Sequence, residues 1–498
     1  MRSVLSKPDL LHMTASERAV TKCREALELK DKADYTGALA VMRPLWNGVG
    51  EYPDIEGLHP NVVAEVLLCT GILTGWLGSK DEIKASNEWA KDLLTESITY
   101  YESFQDALRI AAVHAELGYC YWRAGALEEA RIWFTEALER LPNAGYTRAN
   151  ALFGLSVVEW SASRFKESLR ILTENAPLFK KINNHALKGV YHMQVGMVLR
   201  NLATPEGRAT EYDRVLWEYN EADKHFKAAQ NKIFRAHNLN NISYVLRDQS
   251  RFQEAHEYLN QARRLTVSAK DKVKTAQIDE SRAQLLIAEA KYAEAESVAR
   301  HAVKTFQKSG HQLFLAEALT THGIALARLG STGRAQFVLQ NAIEVAHQAG
   351  SLNRAGIAAL TLIEEVNGLP PDMMSSAYEQ AVEWLKEAES YALLLRFKGA
   401  GSKLAARLRM DKKISPAETL VKRRKCKEEL LQIEEERIRK ALAETNGSVT
   451  RAAPLVGVTY PGLIYIINSR HPHLLDQRTP VRHRQRSKQY GHTRGSST

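Results

Sequence analysis

The apolar side chains of residues 111–144 recur with the 3.6-residue period of two consecutive α-helices. Gly125 separates the two helices, and Pro142 ends the second because proline lacks an amide proton and clashes with the preceding turn. The apolar stripes are His114, Leu117, Gly118 and Tyr121 on the first helix and Ala130, Phe134, Ala137 and Leu138 on the second. The pattern predicts an antiparallel helical hairpin.

The middle of this hairpin combines very small and very large side chains. Gly118 and Ala130 carry almost no side chain where the two helix axes must cross closely, and Tyr121 and Phe134 are expected to fill the space beside the crossing. A single hairpin cannot bury its own apolar face, so stable folding requires stacked neighbours. The sequence therefore predicts an array of such units.

Small residues recur further along the chain at a fixed interval of 40 residues. Two parallel series at one period indicate repeated hairpins with helices longer than those of residues 111–144. The two series are Ala255, Ala295, Ala335 and Ala262, Ala302, Ala342. Alternating β-branched runs with tight turns do not occur, so residues 14–397 are predicted to be almost wholly helical.

The order Leu-Gly-x-x-Tyr, Ala-x-x-x-Phe, Ala and Pro within residues 111–144 closely resembles the tetratricopeptide repeat (TPR), with His114 in place of its first aromatic residue. The resemblance implies a superhelix whose concave face, formed by the first helix of each repeat, binds peptides or protein segments. Packing between repeats is the alternative role for the aromatic residues among them. The expected groove residues are Tyr119, Trp122, Arg123, Trp160, Arg200, Asn201, Asn240, Tyr244 and Arg247.

A different pattern of three short helices appears near the C-terminus. Residues 432–445 form an amphipathic helix, Ser448 precedes a second helix over residues 449–456, and Thr459 precedes a third. Gly457 permits the positive φ of a sharp turn between the last two helices. This arrangement is typical of a helix-turn-helix.

The run ALAETNGSVTRAAPLVGVTYPGL resembles the C-terminal DNA-binding module of Fis and of related enhancer-binding regulators. Pro454 departs from that pattern inside the first helix of the pair. Apolar and aromatic residues also replace the arginines and lysines of the family's third helix. The resemblance and the basic tail together give the expected DNA-binding residues Thr459, Tyr460, Tyr465, Asn468, Arg470, Arg482, Arg484, Arg486 and Lys488.

The tail after Asp476 contains arginine, lysine and histidine and no acidic residue. A disordered basic arm of this kind neutralises phosphates or enters a minor groove. A solubilising terminus is the alternative interpretation of the same composition.

These patterns divide the chain into an all-α, TPR-like α-solenoid and a small three-helix helix-turn-helix domain. The predicted segments are degenerate N-terminal helical repeats (1–104), a TPR array (105–350), closing helices (351–397), a flexible linker (398–402), a Fis-type helix-turn-helix domain (403–475) and a disordered basic tail (476–498).

Charge separates the two parts of the chain. From Lys403 onward there are 21 Lys and Arg residues against 9 Asp and Glu, whereas residues 1–402 contain 47 against 49. The near-neutral body and the basic C-terminal part indicate that only the latter binds a polyanion.

Other functional classes lack their sequence signals. There is no Walker A loop, GxSxG or HExxH motif, so we expect no enzyme, no cofactor and no metal site. The four cysteines are far apart, as in reduced cytosolic proteins. We also expect no signal peptide and no apolar run near the roughly 18 residues that a membrane span requires. The predicted location is cytoplasmic, with no membrane partner.

These observations lead to two functional hypotheses. The first is a DNA-binding transcriptional regulator whose TPR superhelix binds a peptide or protein, acting as a homodimer on two half-sites. The second is a non-enzymatic interaction scaffold in which the helix-turn-helix serves as a docking piece. The apolar stretch over residues 460–467 favours the second hypothesis.

Overall fold

The computed structural model describes residues 13–80, 83, 85–203, 208–386, 391–410, 431–458 and 460–477. These ranges are almost entirely helical and contain no strand. The chain separates into two compact units, residues 1–400 and 401–498. The predicted all-α class is confirmed.

The first unit is a succession of helices joined by short turns. Its first ten helices are α1 (Ala15–Asp31), α2 (Tyr35–Met42), α3 (Pro60–Lys80), α4 (Ser86–Ser103), α5 (Ala107–Arg123), α6 (Leu127–Arg140), α7 (Tyr146–Ser161), α8 (Phe165–Glu174), α9 (Ala176–Lys181) and α10 (His185–Leu202). The next ten are α11 (Arg208–Ala228), α12 (Lys232–Asp248), α13 (Phe252–Ser268), α14 (Lys272–Ala288), α15 (Tyr292–Ser309), α16 (Gln312–Arg328), α17 (Thr332–Gln348), α18 (Leu352–Glu365), α19 (Pro371–Leu385) and α20 (Tyr391–Met410). The second unit contains α21 (431–444), α22 (Val449–Val456), α23 (Tyr460–Arg470) and a 3-10 turn (Pro472–Gln477).

Consecutive helices of the first unit pair into hairpins, and each hairpin packs on the next. The most extensive contacts join α3 with α4, α10 with α11, α16 with α17, and α12 with α13. Such stacking buries a continuous apolar core that no hairpin could form alone. This is the TPR-like α-solenoid that the sequence predicted.

Small residues occupy the helix crossings, as expected. All six alanines of the two 40-residue series are 0% exposed. In the α5–α6 hairpin, a Cβ on Gly118 would lie 2.9 Å from the ring of Phe134. Tyr121 packs against the edge of this core, as expected, and stacks on Trp133. Tyr119, which was not expected there, lies against Phe134 at 5.0 Å between ring centroids.

The 40-residue period arises from turns that recur every 20 residues. Each of these turns has one residue in the left-handed region, and the next residue commonly closes it, as where the Lys291 N–H donates to the Leu286 carbonyl at 2.8 Å. The left-handed residues are Gln230, Ser250, Lys270, Ala290, Gly310, Gly330 and Gly350. Four of them are not glycine, so the packing of the flanking helices holds these turns against a local strain of about 1 kcal/mol each.

One apolar helix contradicts the expectation about long apolar runs. Residues 60–79 of α3 have a mean hydropathy of 1.6 and are long and apolar enough to cross a membrane by length and composition. Within the array, however, 83% of this apolar stretch is buried. The helix packs against α1, α4 and α5, which explains its apolar composition.

The segment predicted as a flexible linker is helical. Residues 398–402 lie inside α20, although Gly399 and Gly401 each cost about 1 kcal/mol relative to alanine. The surrounding leucine, alanine, lysine and arginine residues are strong helix formers, which offsets this cost. The boundary between the two compact units, after Ala400, falls inside α20, so the second half of this helix belongs to the second unit.

Candidate functional site

The three helices of the C-terminal unit enclose a small apolar core. Its residues come from α21, α22, α23 and the following 3-10 turn, and two of them on α23 are fully buried. The core consists of Ile438, Ala441, Leu442, Val449, Ala452, Ala453, Leu463, Ile467 and Leu474. The burial of Leu463 and Ile467 fixes which face of α23 turns inward.

The turn between α22 and α23 has the predicted glycine geometry. Gly457 has a φ of +82°, in the left-handed region where a side chain would be strained, and the Val458 N–H donates to the Ala453 carbonyl at 3.0 Å. Pro454 lies within α22, so the chain accommodates this departure from the family pattern in a helix of eight residues.

The opposite face of α23 is open. Tyr465 is 68% exposed and Asn468 is also exposed, whereas Leu463 and Ile467 on the other side are fully buried. Tyr460, at the start of the helix, is 46% exposed. Because a helix places positions 465, 468 and 469 on one face, these side chains form a continuous surface. We call Tyr465, Asn468 and Ser469 the outer face of α23.

Basic and imidazole groups at the end of α23 are bound to carboxylates of α21. Arg470 Nη1 lies 2.9 Å from Glu434 Oε1, and His471, only 2% exposed, has Nε2 at 3.0 Å from the other oxygen of that carboxylate. His473 Nε2 lies 2.9 Å from Glu435 Oε1, and this hydrogen bond lowers the pKa of Glu435 below its ordinary value. These contacts hold the end of α23 against α21.

Several of the expected DNA-binding residues lie outside the described part of the chain. They are Thr459, Arg482, Arg484, Arg486 and Lys488. Tyr465 and Asn468 share the outer face of α23, Tyr460 lies at the start of that helix, and Arg470 pairs with Glu434.

Within the first unit, four of the predicted groove residues meet on α10 and α12. The guanidinium carbons of Arg200 and Arg247 lie 5.3 and 5.1 Å from the ring centroid of Tyr244. Arg200 also pairs with Asp248 at 2.9 Å. Burial alone would raise the pKa of Asp248, but the two guanidinium groups lower it below its ordinary value. Asn240 lies one helical turn from Tyr244.

A cavity of ≈ 270 Å³ opens beside this cluster, lined mostly by side chains of α12, α14 and α16. Asn240 and Asn241 both line it and are 7% and 8% exposed. Within the described residues, Oδ1 of Asn240 and Nδ2 of Asn241 have no hydrogen-bond partner. A buried unpaired amide atom costs about 1–3 kcal/mol, and both atoms are themselves buried in the wall of the cavity.

A second cavity of ≈ 590 Å³ adjoins the first and is lined by residues of α12, α14, α16, α18 and α20. Tyr244, Glu280 and Glu317 line both cavities. We call the two cavities together the inner groove. The second cavity is also lined by the ion pairs of Arg354 with Glu317 and of Arg396 with Glu364, both at 2.6 Å.

Glu280 lies where the two cavities join and is 6% exposed. Its Oε1 accepts hydrogen bonds from the Thr321 hydroxyl at 2.5 Å and from the Gln284 amide at 2.7 Å. Burial raises the pKa of Glu280 to about 7, more than these hydrogen bonds and Arg247 lower it. The carboxyl therefore takes up a proton at a higher pH than an ordinary glutamate.

The other predicted groove residues lie elsewhere. Tyr119 is buried in the α5–α6 core and its hydroxyl donates to the Asn150 carbonyl at 2.9 Å, because the ring is needed to fill the helix crossing. Trp122 Nε1 donates to the Ser161 hydroxyl at 2.9 Å, and Arg123 lies over Trp76 at 5.4 Å.

Two further predicted residues add little to the inner groove. Trp160 packs into the core cluster formed mainly by α7, α8 and α10. Asn201 is exposed, and its amide donates to the Met197 carbonyl of its own helix at 2.8 Å.

The 40-residue period of the sequence indicates two groove residues that were not among the predicted ones. Adding the 40-residue period to Asn240 gives Glu280, and adding it to Tyr244 gives Gln284. Both lie in the inner groove. Glu317, Arg354 and Arg396 have no such relation to a predicted residue.

Among the described residues, no group of three or more His, Cys, Asp or Glu side chains is arranged to hold a metal ion. Cys23, Cys69 and Cys120 are buried free thiols. Burial raises the pKa of the Cys120 thiol above its ordinary value, so this thiol is unreactive at neutral pH.

Comparisons with solved structures return repeat proteins. A Rap protein complexed with Competence and Sporulation Factor is 14% identical, covering 68% of this chain and 99% of its own, with a TM-score of 0.45. A signal transduction ATPase with a tetratricopeptide repeat sensor from Pyrococcus horikoshii is 12% identical, covering 79% and 66%, with a TM-score of 0.47. Yeast Tom70 is 14% identical, covering 81% and 84%, with a TM-score of 0.42.

No curated protein sequence matches the chain. One family model does: residues 430–466 match the bacterial regulatory protein, Fis family. This segment includes α21, α22 and the first seven residues of α23. The C-terminal module is therefore a Fis-type helix-turn-helix, and it follows a TPR-like α-solenoid.

Proposed function

We propose that this protein is a DNA-binding transcriptional regulator. The Fis-type module contacts DNA through α23, and the solenoid binds a peptide or protein segment in the inner groove. Occupation of the groove alters how the module meets DNA. The observation that carries the proposal is the open outer face of α23, with Tyr465 and Asn468 exposed on the side opposite the core.

Electrostatics supports the assignment of DNA to the C-terminal part. The excess of 12 positive charges from residue 403 onward lies in a chain whose first 402 residues are almost neutral. Cations that neutralise phosphates release counterions, so binding weakens as salt concentration rises. A Fis-type module that reads two half-sites would act in a homodimer, which is part of the proposal.

The test is a salt titration of the full-length protein with mixed-sequence duplexes, followed by fluorescence anisotropy. We expect affinity to fall at least about tenfold between 50 and 200 mM salt. The variant Tyr465→Ala/Asn468→Ala should bind more weakly, while Trp217→Ala, an exposed aromatic of α11, should bind like the parent. Absence of binding, or an affinity that does not depend on salt concentration, would contradict the proposal.

The inner groove supports the second half of the proposal. Its arginines and carboxylates supply charged donors and acceptors for the alternating N–H and C=O groups of an extended polypeptide. The guanidinium groups of Arg200 and Arg247 lie 5.3 and 5.1 Å from the Tyr244 ring centroid, so this end of the groove combines cationic and aromatic groups.

The scaffold hypothesis has its own support. The outer surface of the module exposes Leu455, Tyr460 and Tyr465, all apolar or aromatic. If the module docks protein instead of DNA, full-length protein should recover the same partners from extract with and without nuclease treatment. It should also fail to shift any duplex in the salt titration.

A further inference from the structure

We propose that the outer face of α23 reads A·T base pairs in the major groove, with Tyr465 against the thymine methyl and Asn468 on adenine. The inference rests on the proposed DNA binding and adds the class of sequence that is recognised. It assigns specificity to two side chains of this chain, one of which, Tyr465, replaces a basic residue expected of the family.

The orientation of α23 leaves few side chains free to meet a base. Leu463 and Ile467 are 0% exposed in the core, which points Tyr465 to the opposite side. Ser469 shares that side, but its hydroxyl donates to the Tyr465 carbonyl at 2.6 Å, within the helix. Tyr465 and Asn468 therefore provide the base-reading groups of the outer face.

Guanine is read by bidentate contacts from arginine or lysine to O6 and N7. Arg470, the one basic residue of α23, lies 2.9 Å from Glu434 and is held at the C-terminal end of the helix. The outer face therefore lacks a free cation for guanine. Its chemistry matches adenine and thymine instead, since asparagine pairs with adenine N6 and N7 and apolar groups contact the thymine methyl.

The charges of α22 and α23 suit a DNA duplex. Residues 449–470 contain Arg451 and Arg470 and no carboxylate. The carboxylates of Glu434 and Glu435 on α21 are engaged by Arg470 and His473. A phosphate backbone on either side of α23 therefore meets no unpaired acidic group between residues 449 and 470.

The experiment begins with selection of bound duplexes from a random library by the full-length protein. Each thymine of the selected site is then replaced by deoxyuridine, which lacks the methyl group. We expect at least one position where the replacement lowers affinity about threefold or more. Replacement of the adenine contacted by Asn468 with 7-deazaadenine, which lacks the N7 acceptor, should lower affinity about fivefold or more.

Variants assign each effect to its side chain. Tyr465→Ser should bind thymine and deoxyuridine duplexes equally, and Asn468→Ala should lose the sensitivity to 7-deazaadenine. Both positions are exposed, so the module should keep its helical circular dichroism. Tyr146→Ser, an exposed tyrosine of α7, is the matched control and should keep both sensitivities.

The outcomes separate this inference from the proposed function. Salt-dependent binding to duplexes whose contacted core is G·C, or equal binding of thymine and deoxyuridine sites by the parent protein, would overturn the inference and leave DNA binding intact. Failure to select any duplex would overturn both.

Discussion

Asp31 and Asn231 are 200 residues apart in the chain, yet Nδ2 of Asn231 donates a hydrogen bond to the carbonyl oxygen of Asp31 at 2.7 Å. Asn184 Nδ2 donates to the Asp31 carboxylate at 2.8 Å. Both asparagines also cap their own helices, α12 and α10, by accepting from the N–H groups of Phe234 and Leu187. The end of α1 is thus joined to the starts of two distant hairpins.

The first prediction concerns this junction. Asn184→Ser/Asn231→Ser keeps an oxygen that can cap each helix but removes both amide donors to Asp31. Two hydrogen bonds of about 1 kcal/mol each would be lost, so the free energy of local opening should fall by about 2 kcal/mol. Amide hydrogen exchange should accelerate in α1 and α2 and stay unchanged in α14 to α17.

Asp106→Ser, at the N-cap of α5, is the matched control because that side chain caps its own helix without reaching α1. It should leave exchange in α1 and α2 unaltered. Equal protection of α1 in the parent and the double variant would show that the junction does not hold the N-terminal hairpin.

The second prediction uses the left-handed turns. Ala290 has a φ of +61°, so Ala290→Gly should raise the free energy of unfolding by about 1 kcal/mol through relief of strain. Gly330 has a φ of +79°, and a Cβ there would touch nothing within 4 Å. Gly330→Ala should therefore lower the free energy of unfolding by about 1 kcal/mol through strain alone.

Urea denaturation followed by circular dichroism measures both changes. Gly333→Ala, inside α17 where a Cβ also meets nothing, is the control and should be neutral or stabilising. Matching signs for Ala290→Gly and Gly330→Ala would contradict the strain argument.

The third prediction is a pH dependence from Glu280. Burial raises the pKa of this carboxyl from an ordinary 4.5 to about 7, so the folded chain binds more protons than the unfolded chain between these values. Stability should therefore fall as pH rises from about 4.5 to about 7. Glu280→Gln, which keeps an acceptor oxygen, should remove this contribution and stabilise the protein at pH 8 by up to about 3 kcal/mol.

Thermal unfolding of parent and variant between pH 4.5 and 8 tests this dependence. Glu294→Gln, an exposed carboxyl on α15, is the matched control. Parallel pH profiles for the parent and Glu280→Gln would refute the assigned protonation of Glu280.

The fourth prediction addresses the inner groove. Peptides selected from a display library on the full-length protein should lose about tenfold or more in affinity with Asn240→Ala or Arg247→Ala, since each removes a polar contact that is hard to replace in a desolvated site. Arg170→Ala is the control, because this arginine of α8 pairs with Glu167 and Glu174 outside the groove. Selected peptides that bind both groove variants like the parent would place their site elsewhere.

The fold could be predicted from the sequence because it depends on short local patterns of residues. The alanines at 40-residue intervals mark helix crossings, and Gly457 marks the turn before α23. Non-glycine residues at left-handed turns, such as Lys270, were not recognisable, since packing of the flanking helices overrides their own preference.

The functional sites could be predicted only in part from the sequence. Tyr465 and Asn468 follow directly from helical spacing within a recognisable motif. The inner groove depends on which repeats turn their polar residues inward, and the ion pairs of Arg354 and Arg396 join different hairpins. The resemblance of residues 111–144 to a known repeat drew attention to Tyr119, whose ring is used for packing.

The even spacing of the seven turns from Gln230 to Gly350 has a mechanical consequence. Curvature in a stacked array is the sum of small rotations between neighbours. With equal intervals, a deforming force is shared among equivalent interfaces between neighbouring hairpins. A ligand that inserts between two neighbouring hairpins would change the superhelical pitch by a small rotation at each interface.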